Sequence, residues 1–167
     1  MAASVAIREA RVEDEAFILA LNAACTPAVG DMPADHYRKL RGWAHRVLVA
    51  EAGGKPCGFL ILMRPGSAYP SDNYAWFEAR FPHHLYVDRI AIDASARGTG
   101  AGRALYEEAV RMAEANGDER LTAEVNEVPP NPESMKFHAA LGFRHLLSRT
   151  SGSGKVVAML ECPLDAA

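Results

Sequence analysis

The residues best suited to chemistry stand in the run from Ala96 to Arg103, ARGTGAGR, where three glycines fall within five residues and a helical pattern begins at once. Glycine gives up chain entropy and packing, so such a cluster calls for compensation. A helix N-terminus exposes unpaired N–H groups and a partial positive charge, which suits an anion. The glycines would let a large anion approach the backbone, and the first turn holds no Asp or Glu while Arg97 and Arg103 flank it. A glycine-rich turn with solvated arginines accounts for the same residues, so both readings stand on the loop alone. Nucleotide loops fit less well. There is no Lys-Ser/Thr pair for a Walker A loop, and the GxGxG spacing departs from the GxGxxG of a dinucleotide fingerprint.

The elements that must hold this loop follow from periodicity. Val5 and Ile7 alternate with polar residues as an edge-like strand, and helical patterns run through VEDEAFILALNAAC and PADHYRKLRGWA. RVLVAEA and KPCGFLILM, joined by GGK, read as a hairpin. Residues 64–83 read as a long functional connector rich in Pro, Ser and aromatics. The strand HLYVDRIAI feeds the glycine loop, and a helix ending at Gly117 leads into the strand RLTAEVN. Asn131 fits an N-cap, with Pro132 opening the next helix and Gly142 closing it. Two strands around a Gly/Ser turn end the chain. The order β-α-α-β-β-β-α-β-α-β-β predicts a mixed α/β sheet of about seven strands with four helices on its two faces. The strands flanking the glycine-loop helix are parallel and the rest antiparallel.

The 167 residues suit one domain spanning 1–167, with 49% hydrophobic and 23% charged residues. A net charge of −3 argues against a nucleic-acid partner. Cys25, Cys57 and Cys162 are odd in number and far apart, which points to no disulfide framework and no metal site, and to a reducing compartment. No signal peptide or membrane-length apolar run is apparent, so a cytoplasmic protein without a membrane role is expected.

The stretch LYVDRIAIDASARGTGAGRALYEEAV resembles the acetyl-CoA-binding motif of the GNAT superfamily of N-acetyltransferases. In that motif a strand is followed by R/Q-x-x-G-x-G/A, read here as Arg97-Gly98-Thr99-Gly100-Ala101-Gly102 with the Arg directly before the first Gly. EVNEVPPNPESMKFHAALGF is similar to the family's second signature, N-x-x-A-x-x-x-Y-x-x-x-G-F. Asn131, Gly142 and Phe143 match in register, Ser134 replaces Ala and His138 replaces Tyr. The resemblance implies acetyl-CoA as cofactor, with its pyrophosphate on the backbone from Gly98 to Arg103. Its pantetheine arm would run along Ile90, Ala91 and Ile92 where the two parallel strands splay. It also implies an acetyl carbonyl aimed at an N–H near Ile92 at a bulge, cofactor contacts from Asn131 and Asn126, and paired subunits as a homodimer.

The chemistry so implied is attack of a neutral amine on a thioester. His138, at the family's Tyr position, is the candidate proton donor to the leaving thiolate; a packed His with one hydrogen bond is the plain alternative. Asp88, two residues before Ile90 and so on the same face by strand parity, is the candidate base; a salt bridge to Arg89 is its alternative. Glu51, Glu78, Glu124, His83 and His84 are weaker candidates. Tyr74, Trp76 and Phe77 in the long connector are expected to line the pocket of a small-molecule amine, with Arg89 on an acceptor carboxylate. A non-catalytic acyl-CoA sensor and a peptide N-acetyltransferase are the competing functions.

Overall fold

The strand that precedes the glycine loop lies at the centre of the molecule. The computed structural model describes residues 4–165. Among them are seven strands: β1 (Val5–Glu9), β2 (Arg46–Ala52), β3 (Lys55–Met63), β4 (His84–Ile92), β5 (Arg120–Val128), β6 (Arg144–Thr150) and β7 (Val156–Pro163). Five α-helices accompany them: α1 (Glu15–Ala24), α2 (Ala34–Trp43), α3 (Asp72–Arg80), α4 (Ala101–Asn116) and α5 (Pro132–Ala140). The strands form one sheet in the order β1-β2-β3-β4-β5-β7-β6. Only β4 and β5 run parallel, as the α4 crossover between them requires.

Each face of the sheet carries its own core. In β3, Leu60 and Leu62 point to the face covered by α4, where they meet Leu85, Leu105 and Leu121. Phe59, Ile61 and Met63 point to the other face, against Ile18 of α1, Leu40 of α2 and Phe77 of α3. A central strand covered on both sides is apolar almost throughout, and β3 is buried at every position from Cys57 to Met63. The edge strand β6 is largely exposed and carries Arg144 and Arg149, charges that discourage pairing with another chain.

The fifth helix is α3, which lies inside the segment expected to be a connector. Ser71 caps it, accepting a hydrogen bond from the Tyr74 N–H. Tyr74 and Phe77, one turn apart, face the core, while Trp76 packs half-buried at its margin with the Arg80 guanidinium 3.9 Å above its ring. An aromatic off the buried stripe masked the helix's periodicity.

Two backbone events in β4 shape the site. Pairing with β5 covers only His84–Val87 against Arg120–Ala123. Beyond it, β4 stays paired to β3 and β5 to β7 on their outer sides, so the inner edges of residues 88–92 and 124–128 face a gap. At the same point β4 bulges, because Ile61 of β3 pairs with Arg89 and Leu62 with Val87, leaving Asp88 as the extra residue.

Candidate active site

The gap opens into a cleft of about 700 Å³ that passes through the sheet. Ile90 and Ile92 of β4, Val125 of β5 and Arg97, Gly98, Gly100, Ala101, Gly102 and Arg103 of the glycine loop line it on the α4 side, and Ala91 and Asn126 line it from the other face of the same strands. Gly100 is the N-cap of α4, and Gly98 and Gly100 take φ of +80° and +89°, conformations that favour glycine. A Cβ on either would meet no protein atom within 4 Å, so the loop backbone stands open toward the cleft. No acidic residue occupies the first turn of α4. The unpaired inner edges and the open helix N-terminus fit a ligand with an amide-bearing arm and a phosphate group.

Three details differ from expectation. Thr99 does not line the cleft; its hydroxyl donates back to the Ala96 carbonyl at 2.5 Å. Gly102 lines the cleft and in addition serves packing, since a Cβ there would lie 2.8 Å from Phe137 Cζ of α5. The β4 bulge sits at Asp88 and not near Ile92.

Asn131 caps α5, its Oδ1 accepting from the Ser134 N–H at 3.3 Å, and also lines the cleft. His138 lies two turns further on, buried beside Tyr106, Phe137 and Phe143. Its Nδ1 is 2.8 Å from the Ser134 carbonyl, which can only accept, so the proton resides on Nδ1. Nε2 is then an acceptor, and the Tyr106 hydroxyl donates to it at 2.5 Å. Burial holds the imidazole below its ordinary pKa and therefore neutral. In this arrangement His138 reaches the cleft wall with no proton aimed into it, and Tyr106, which the sequence did not single out, stands between.

On the opposite side of the sheet the polar groups converge. Glu124 is the first residue of β5 beyond the parallel pairing. The Tyr86 hydroxyl lies 2.7 and 2.8 Å from its two oxygens, and Asn73 Nδ2 donates to Oε1 at 3.3 Å. Removal from water pushes its pKa up to about 8, with the nearby Asp88 charge adding to the rise and the Tyr86 hydrogen bond opposing it. Asp88 is committed elsewhere: Tyr69 Oη donates to Oδ1 at 2.5 Å and Arg89 Nε to Oδ2 at 2.8 Å. The bulge also breaks the expected parity. Ile90 packs with the α4-side core, while Asp88 and Arg89 both turn to the α1–α3 side. Both oxygens of Asp88 are thus engaged, whereas Glu124 Oε2 has the Tyr86 hydroxyl as its one partner among the described residues, so Glu124 is the better-placed candidate base.

The residues expected to form the acceptor pocket also change. Tyr74 and Phe77 are 3% and 0% exposed within the core, and Trp76 is half-buried at its margin, so none of the three lines the cleft. Tyr69, Ser71 and Asn73 of the same segment do. Cys25, Ala28, Val29 and Gly30 after α1 and the β6–β7 turn with Ser151, Ser153 and Lys155 complete this half of the cleft, and Arg89 is in its wall.

The chain belongs to the acetyltransferase (GNAT) family, whose model matches residues 15–143. Among solved structures it is similar to the ribosomal-protein-S18-alanine N-acetyltransferase from Escherichia coli, with a TM-score of 0.74, 17% identity and coverage of 98% of this chain and 96% of that one. An N-acetyltransferase from Staphylococcus aureus Mu50 gives a TM-score of 0.70, 28% identity and coverage of 97% and 99%. The yncA protein from Salmonella typhimurium, solved with its cofactor acetyl-CoA, gives 0.67, 22% and coverage of 98% and 95%. No curated protein matches the sequence. No helix among the described residues is long and apolar enough to cross a membrane.

Proposed function

We propose that the protein transfers the acetyl group of acetyl-CoA to the nitrogen of a small-molecule amine in the cytoplasm. The observation that carries the reading is Glu124, a carboxylate with its pKa pushed up to about 8, set where β4 and β5 part. Amines have ordinary pKa values of roughly 8 to 10, so a base near 8 is matched to taking their proton. The fit of the cofactor rests on the open glycine loop and the unpaired strand edges, and the likeness to a structure holding acetyl-CoA supports it. Gly98, Gly100, Ala101 and Arg103 would hold the pyrophosphate, and the inner edge of β4 from Ile90 to Ile92 would hold the pantetheine arm. Bound there, acetyl-CoA supplies an activated thioester.

The protein's own groups do the rest. Glu124 Oε2 accepts from Tyr86 alone, which leaves a lone pair for the acceptor's proton or for a water that relays it. Tyr86 and Asn73 fix the carboxylate's orientation. The β4 N–H groups facing the gap offer donors to a polarised carbonyl. A cleft of about 700 Å³ flanked by Cys25, Val29 and Gly30 on one side and by Ser151, Ser153 and Lys155 on the other is of a size that suits a small acceptor. Three free cysteines agree with a reducing compartment.

The test is release of free thiol from acetyl-CoA over a panel of amines, amino acids and short peptides, with the N-acetylated product identified by mass. Release with at least one small acceptor is expected. Tight acetyl-CoA binding with no release over the panel would refute transfer and favour a sensor, and release with peptides alone would refute the small acceptor.

A further inference from the structure

We propose that the acceptor amine carries a carboxylate, as an amino acid does, and that Arg89 binds it. This rests on the acetyltransferase reading of the cleft and names its acceptor class. The Arg89 side chain is 9% exposed, and three contacts fix its guanidinium. Nε donates to Asp88 Oδ2 at 2.8 Å, and Nη1 donates to Asn22 Oδ1 at 3.2 Å and to the Gly30 carbonyl at 2.9 Å. Among the described residues Nη2 has no partner. It is not sealed in the protein either, because the buried side-chain nitrogens without partners are Arg64 Nε, His84 Nε2 and Arg120 Nε. Arg89 lines the cleft, so the free edge of the fork opens into it.

A guanidinium held on two nitrogens is organised before any ligand arrives. Its remaining N–H groups suit a planar oxyanion, and little side-chain entropy is left to lose. The charge balance agrees. Asp88 offsets Arg89, and its second oxygen is taken by Tyr69. Lys155 lines the same cleft and has no ion-pair partner among the described residues. With Asp88 paired to Arg89, Lys155 is left as a cation without an ion-pair partner on this half of the cleft. A zwitterion supplies the missing anion and brings its amine to Glu124. A simple amine or a polyamine supplies no anion and adds positive charge. A peptide N-terminus offers a neutral amide in place of the carboxylate.

The experiment compares kcat/KM, corrected for the free-amine fraction, across three series on the wild-type protein with acetyl-CoA. These are the common amino acids, their carboxamides, and the amines that lack the carboxyl group. The best acceptor is expected among the free amino acids. Removing its carboxylate should lower kcat/KM by ~100-fold, below the limit for a fully enclosed polar site because this cleft is open. Arg89→Met should reduce that ratio to within ~5-fold, since a site without the fork no longer distinguishes the series. The wild-type comparison stands on its own if the variant does not fold. Amides or plain amines used as well as the amino acids would overturn the inference and leave acetyl transfer intact. Acetyl-CoA binding with no release in any series would overturn both.

Discussion

Replacing Glu124 by Gln should lower activity and raise stability together, and the second effect grows with pH. The wild-type carboxyl has an ordinary pKa of 4.5 and titrates at about 8 in the folded protein. The unfolded chain therefore binds fewer protons than the folded one between these values, and stability falls as pH rises through that window. At ~1.4 kcal/mol per pH step the ceiling is about 5 kcal/mol above pH 8, and water at the cleft-facing edge should reduce this to about 2. Gln has similar shape, keeps an acceptor for Tyr86 and Asn73, and carries no charge. Thermal melts should give equal midpoints near pH 5 and a variant midpoint higher by several degrees at pH 8.5. In the same pH series, wild-type kcat/KM at saturating acetyl-CoA should climb to a plateau with an apparent pKa near 8. The variant should lose that limb and at least ~100-fold in kcat. A variant that keeps the limb and turns over within ~3-fold of wild type would remove Glu124 as the base. An unchanged melting difference between pH 5 and 8.5 would show that its carboxyl is not desolvated.

Two further outcomes test how the cofactor half is built. Gly102→Ala should destabilise by about 1–3 kcal/mol, because its Cβ would meet Phe137 Cζ at 2.8 Å, and adding Phe137→Leu should recover most of the loss in a thermal melt. His138→Phe strands the buried Tyr106 hydroxyl and should cost about 1–3 kcal/mol, whereas Tyr106→Phe with His138→Phe should cost less than the sum of the two; additive losses would deny the hydrogen bond.

Much of the framework was legible because it is local. The glycine loop, the parallel pair around α4 and the Asn131 cap each announce themselves within a few residues. The features that escaped depend on distant partners. Gly102 reads only as a ligand-facing glycine, and its second role in packing shows once Phe137 is placed against it. Glu124 in LTAEVN is one of five weaker candidates for the base in the sequence, and only Tyr86 and Asn73, which hold its carboxylate, single it out from the others. Tyr74 and Phe77 look like pocket aromatics because a proline at position 70 and Trp76 at the core margin hide the helix that turns them into the core.

The bulge at Asp88 is the step that joins the two halves of the site. Leu85, Tyr86 and Val87 alternate between the two cores, and without an extra residue Arg89 would continue toward the α4 side with Val87. The inserted residue returns Ile90 and Ile92 to that core and directs both Asp88 and Arg89 to the opposite face, where they bond to each other. It does so directly after the last β4–β5 pair, where added local twist helps the strands part. One backbone irregularity thus coincides with the opening that exposes the inner strand edges and with the turn that aims the acceptor-side arginine. Those edges and that arginine lie on consecutive residues of one strand, so cofactor and acceptor positions are fixed relative to each other by the sheet itself and not by a loop.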